Sequence, residues 1–571
     1  MKKYHIILSF LFALIFMGAA HEKPYTIMIY MNGSDLESEF GAATTDLVEM
    51  LDSGLDAKNA NVLILTGGAN RWMNTAIPEY EVLIWQLVNE NLNEIKSMGK
   101  VNMGNPDTLS EFIKYSMKNY PAKKYALIMW DHGGGTIAGF GHDEKFNDDA
   151  LSLMDMKKAF DDAGLADNKL ELLGFDACLM ATVEMAVLSS NYARFLVAAE
   201  DLEPGDGWDY VFLNTLNSNP NISGADLGKV IVDTFMAFYG PDSDEILSLS
   251  VIDLSNVHEV MSAMGSLMEK AHHKLMGEGL TLPRRSLAST RAFRSLAVRR
   301  AETVTFGEGS PRDNYADMVD IGDMAILLYD LFPIESQAVL DALSRSVLYN
   351  MYNSQIPIWG LSTFYIYGGK SMGEESLQIY TELNMDENYT KFLHSFFNRL
   401  TGQNHVNKTI THTDLSLWQP TAQNTRRMIG LLQSDERSEN LLWPKLGNYN
   451  VCLHPINTSK TTQLYAIPVE VNNKEADIIV AFNQQHPDGK IKGIRYQHGG
   501  LMQKGYDPIN STDIISIYYQ EQCLNFQEEK WHKTKPFTLK TPVKLTWEQK
   551  PMDASTFLRQ KNIFHNYEFL P

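Results

Sequence analysis

Residues 126–135 read ALIMWDHGGG and residues 172–180 read LLGFDACLM. Each is a short apolar run that stops at a reactive side chain, His132 before three glycines in the first and Cys178 in the second. Runs of this length, rich in Ile, Leu and aromatics, predict buried strands. Working outward, strand character recurs at 25–31, 61–65, 125–130, 171–175 and 195–199, with helical patterns between at 36–51, 109–119, 153–163 and 179–189. Strand and helix in alternation predict an α/β fold, a mostly parallel sheet sandwiched by helices. In such sheets chemistry collects at the carboxyl ends of the strands, which is where His132 and Cys178 fall. The pattern continues with a strand at 246–254, a long helical region at 257–348 and a strand at 359–367. From about Thr401 alternating apolar and polar positions with Asn, Gly, Pro and Thr turns replace it, predicting a smaller all-β C-terminal domain over 401–571.

Composition bounds the rest. A chain of 571 residues is too long for one ordinary core, and 44% hydrophobic with 11% aromatic content argues against disorder. The net charge of −21 repels phosphate backbones, which argues against a nucleic-acid partner and against docking on anionic membranes. Residues 1–20 have the form of an export signal: Lys2 and Lys3, an apolar run over 6–17, then Gly18, Ala19 and Ala20. The expectation is an exported protein, periplasmic, at the cell envelope or extracellular, with no transmembrane span in the mature chain. Three cysteines occur, Cys178, Cys452 and Cys523. Cys452 and Cys523 could bridge, whereas Cys178 stands alone, and a lone thiol in an oxidising compartment is either buried and inert or kept for its reactivity.

If the two quoted strands are neighbours, an imidazole and a thiol meet above one sheet edge. A cysteine nucleophile needs that base to favour thiolate and to protonate the leaving amine. The glycines after His132 allow close backbone approach and leave the Gly133 amide free to face a developing oxyanion, with the Cys178 amide, opening the next helix, as a second donor. Alone, either residue would more often be a packed histidine or a small core thiol; the pairing at two strand ends favours chemistry.

The His-Gly block, followed after a second strand by an Ala-Cys block, resembles the caspase-like cysteine peptidases, and its wording is most similar to the clostripain family. Residues 203–210 (EPGDGWDY), 317–323 (DMVDIGD) and 359–364 (WGLSTF) extend the likeness across about 25–400. The resemblance implies a caspase-like peptidase domain over 21–400 and an endopeptidase acting through a Cys178–His132 dyad on protein or peptide substrates. It also implies that Asp176 and Asp206 form the floor and wall of the pocket for the residue before the cut, hence Arg preferred and Lys second. Charge alone supports this, since two carboxylates suit a planar guanidinium; the competing use is Asp176 as a helix cap and Asp206 as a turn residue. The family implies an inactive precursor cut in the loop after the catalytic His. In residues 139–149 (GFGHDEKFNDD) the only basic residue is Lys145, so Lys145–Phe146 is the expected self-cleavage bond, with Lys145 held in the acidic pocket as a plug until severed. No cofactor is needed for this chemistry; calcium is implied by the resemblance alone.

Two other classes compete. A serine hydrolase would use the HGGG run for its oxyanion hole and Ser371 in residues 369–373 (GKSMG), leaving Cys178 without a role. A non-catalytic surface or adhesion protein would fit the β domain but not the retained Cys178 and His132. Six arginines within 284–300 read as a solvated or salt-bridged helix.

Overall fold

The computed structural model describes residues 22–401 and 445–546, each span with short internal stretches left out, the longest being 308–315 and 521–530. The expected export signal, Ser371, Cys452 and Cys523 lie outside the described residues.

The central sheet has nine strands: β1 (Lys23–Asn32), β2 (Ala60–Gly67), β3 (Val82–Val88), β4 (Asn91–Gly99), β5 (Ala122–Trp130), β6 (Leu170–Asp176), β7 (Ala193–Ala198), β8 (Ser248–Asp253) and β9 (Val347–Tyr352). Their spatial order is β9-β8-β7-β6-β5-β1-β2-β3-β4. The five inner strands, β7 to β2, pair in parallel, and two antiparallel strands extend each end. The expected parallel core is therefore present inside a mixed sheet. Along β1 the reason for continuous apolar sequence is visible: Met28 and Tyr30 enter one core, Ile27, Ile29 and Met31 the other. Helices Pro106–Asn119, Leu153–Ala163, Val183–Ser189 and Val257–Met276 cover the first face; Ala42–Asp52 and Gly224–Tyr239 cover the second.

Two expectations change. The 257–348 region is not wholly helical: it contains short strands Thr305–Phe306 and Met318–Asp320 and runs into β9. The strand expected at 359–367 is only Ser362–Phe364, and it pairs with Met318–Asp320 in a separate three-stranded sheet rather than in the central one. At the end of the arginine-rich stretch the salt-bridged alternative holds. Arg300 is buried, 3.1 Å from Asp317, donating to the Tyr365 carbonyl and lying over the Tyr365 and Tyr367 rings.

Beyond residue 445 the described chain is β only. Gln463–Val471 and Lys474–Phe482 form the central hairpin of an eight-stranded sheet with its own core of Ile467, Val469, Ile478, Val480, Ile494 and Ile517. The hairpin turns on Asn472 and Asn473, both at positive φ, as a two-residue turn matched to strand twist requires. Among the described residues no helix is long and apolar enough to cross a membrane.

Candidate active site

β5 and β6 are neighbours, with Trp130 opposite Asp176 as the last residue of each. His132 and Cys178 each lie two residues beyond that pair, so the register sets them level above one sheet edge. Gly133 closes the gap: a Cβ placed on it would come 1.8 Å from the Cys178 carbonyl oxygen, an approach that only glycine permits. Gly133 also occupies the non-hydrogen-bonded position of a bridge to Phe140, whose two bonds run from Gly134 N to Gly139 O and from Gly141 N to His132 O. That bridge leaves the Gly133 amide outside its two hydrogen bonds.

The imidazole is held by Asp35, whose Oδ1 is 2.7 Å from His132 Nε2. His142 stacks on the His132 ring at 5.2 Å between centroids, its own Nε2 3.4 Å from the same oxygen. Behind them Asp131 is fully buried and accepts from Asn32 Nδ2 (2.7 Å), Ser34 Oγ (2.6 Å) and the His142 amide (2.9 Å). Burial pushes its carboxyl up to about 7 against the pull of the His132 charge and these hydrogen bonds. Asp131, the residue before the base, thus ties the end of β1 to the loop at 139–149.

Cys178 is buried, with the Glu203 amide 3.2 Å from its sulfur. The Cys178 amide does not open the next helix, because that helix starts at Val183 behind a Thr182 cap. Instead residues 177–182 form a loop sewn to the β7 end by Leu179 N to Asp201 O and Ala181 N to Ala199 O, with Leu179 strained at φ +63°.

Asp176 is buried, and it caps no helix. Its Oδ2 accepts from the Trp208 amide at 3.3 Å and the Tyr210 hydroxyl at 3.1 Å. Asp206 is exposed in the turn closed by Gly207 N to Pro204 O. The charges of both reach Glu49, whose carboxyl stands at about 7, raised mainly by burial and further by Asp209, Asp176 and Asp206. The structure therefore brings Asp176 and Asp206 into one acidic region and adds Glu49 to it. Lys145 goes elsewhere: its ammonium donates to the Glu79 carbonyl on an exposed turn, so the expected plug in the acidic pocket is not formed. Asp35, His142, Glu49 and Glu203 were missed in the sequence. Asp35 had a signal, three residues past the carboxyl end of the first parallel strand, and Glu203 opens the 203–210 stretch quoted for the family likeness.

Among the described residues one group offers three metal-ligand atoms within reach of each other, Asp35, His132 and His142. Two nitrogens and one carboxylate oxygen do not suit calcium, which takes oxygen ligands, so this group does not fit that ion.

Comparison with known proteins gives the context for this geometry. A family model described as the clostripain family matches residues 29–416. The chain belongs to the clostripain family. Clostripain of Hathewaya histolytica is 29% identical over 225 residues, 32% of this chain and 40% of that protein, so the chain spans well under half the length of that relative. A secreted C11 cysteine protease from Bacteroides thetaiotaomicron, solved with an irreversible peptide inhibitor, aligns at TM-score 0.47 and 16% identity over 64% of this chain and all of its own. An inactive zymogen C11 protease from Parabacteroides distasonis aligns at 0.46 and 18%, over 65% of this chain and 98% of its own.

Proposed function

We propose that this clostripain-family chain is an exported cysteine endopeptidase that cleaves after basic residues, Arg before Lys, and is switched on by a cut at Lys145–Phe146. The observation that carries the reading is the close packing of Gly133 on the Cys178 backbone, beside a His132 oriented by Asp35. With Nε2 bonded to Asp35, Nδ1 is the ring nitrogen that serves the thiol. Cys178 Sγ gives its proton to His132 and attacks the scissile carbonyl carbon, forming the S–C bond as the carbonyl pair moves onto oxygen, where the Gly133 amide faces it. His132 returns the proton to the leaving nitrogen as the C–N bond breaks. A water, activated by the same imidazole, then hydrolyses the thioester.

The acidic region of Asp176, Asp206 and Glu49 supports a cationic side chain at the position before the cut. Because Lys145 sits on an exposed turn away from that region, its bond is cut by a second molecule rather than within one. Intact-mass analysis of wild type beside Cys178→Ala tests activity, nucleophile and activation together. Wild type splits after residue 145 at a rate that rises with protein concentration, and Cys178→Ala stays whole. An unsplit wild type that hydrolyses no Arg or Lys peptide, or a Cys178→Ala variant that still splits, refutes the reading.

A further inference from the structure

The family match ends at residue 416, which leaves the C-terminal β domain without an assigned role. Its sheet meets the peptidase domain at Gly505. A Cβ on this glycine would lie 2.9 Å from Gly205 Cα and 3.1 Å from Gly205 N, and its φ of +76° also favours glycine. Gly205 is in the turn that carries Asp206, two residues from Glu203, whose amide touches the Cys178 sulfur. Two residues on from Gly505, Asp507 exchanges backbone bonds of 2.7 and 2.8 Å with Ile494 in strand Lys490–His498. The domain thus reaches the thiol side through Gly205, and Cys178 and His132 are 0% and 1% exposed.

We propose that the C-terminal β domain is a built-in cover of the substrate cleft, seating its Gly505 turn on the 204–207 turn and holding the peptidase closed. This rests on the 204–207 turn being a wall of the substrate pocket. Backbone against backbone is a tight fit, with room for neither a side chain nor a substrate strand at that place.

The test uses the full chain. Gly505→Trp wedges the two turns apart, and Gly505→Ala does so more mildly, since a single Cβ already meets Gly205 Cα at 2.9 Å. Three readouts are compared: hydrogen exchange at amides 205–208 in a Cys178→Ala background, alkylation of Cys178 by iodoacetamide, and hydrolysis of an Arg fluorogenic peptide. With Gly505→Trp all three rise, alkylation and hydrolysis at least tenfold, and with Gly505→Ala all three rise by a smaller factor. Unchanged exchange at 205–208 in Gly505→Trp shows that the turns do not meet and overturns the proposal. Faster exchange without faster alkylation shows a contact that covers nothing, and also overturns it. Faster exchange and alkylation with no peptide turnover in either protein leaves the cover standing and removes the basic-residue specificity instead.

Discussion

Gly133→Ala probes the geometry on which the chemistry depends. The added methyl would sit 1.8 Å from the Cys178 carbonyl oxygen, where real contacts are not found below 3.0 Å, so the backbones must part by about 1.2 Å. The obstacle is main chain on both sides, and no rotamer change relieves it. Displacing reacting groups by about 1 Å lowers rate about 10²-fold, roughly 2.7 kcal/mol of barrier. The same shift moves the amide that faces the oxyanion, so the expected fall in kcat/KM is 10²-fold or more with most of it in kcat. The assay is hydrolysis of an Arg fluorogenic peptide by fully processed enzyme, with circular dichroism to verify folding. Gly164→Ala, where an added Cβ meets nothing within 4 Å, serves as control for a glycine replaced away from the site, and its φ of +74° makes it the more strained of the two in backbone terms. A Gly133→Ala enzyme within threefold of wild type refutes the packing of the two strand ends, and with it the proposed oxyanion donor.

Three further outcomes follow from the same geometry. Asp35→Asn removes the charge that orients His132 and lowers kcat about 10²-fold or more with KM little changed, which initial-rate kinetics checks. Glu49 titrates near 7, so KM for Arg peptides falls as pH rises from 6 to 8 and the pocket gains its third negative charge; Glu49→Gln flattens that part of the profile. The sign for folding is opposite: the folded state keeps a proton that the unfolded chain releases near 4.5, so this group removes stability as pH climbs through 7. Arg300→Ala strands Asp317 in the interior and lowers unfolding free energy by about 3–5 kcal/mol, while Arg300→Met with Asp317→Leu recovers most of it, as denaturant titration would register.

The amino-acid sequence determined the inner sheet and the two reactive residues at its edge, because a strand buried on both faces must be apolar throughout and its end is marked by the first polar or glycine residue. Helix Leu153–Ala163 was legible to the residue, since a Ser152–Asp155 capping box and Gly164 punctuate it. The antiparallel strand β4 was not: none of its residues is buried, and an edge strand of that kind carries no continuous apolar signal. Nor could local pattern locate what only the assembled chain decides. Asp35 and His132 are 97 residues apart and meet because β1 lies beside β5. Asp176 could have capped a helix until the segment after the 204–207 turn brought the Trp208 amide and the Tyr210 hydroxyl to it. Lys145 had the right charge for the acidic pocket and was taken instead by the Glu79 carbonyl, because the short hairpin of strands Phe140–Asp143 and Asp149–Leu151 fixes where its turn points. Composition and periodicity report what each segment buries; which side chains then face each other depends on strand order, and that is a property of the packed whole.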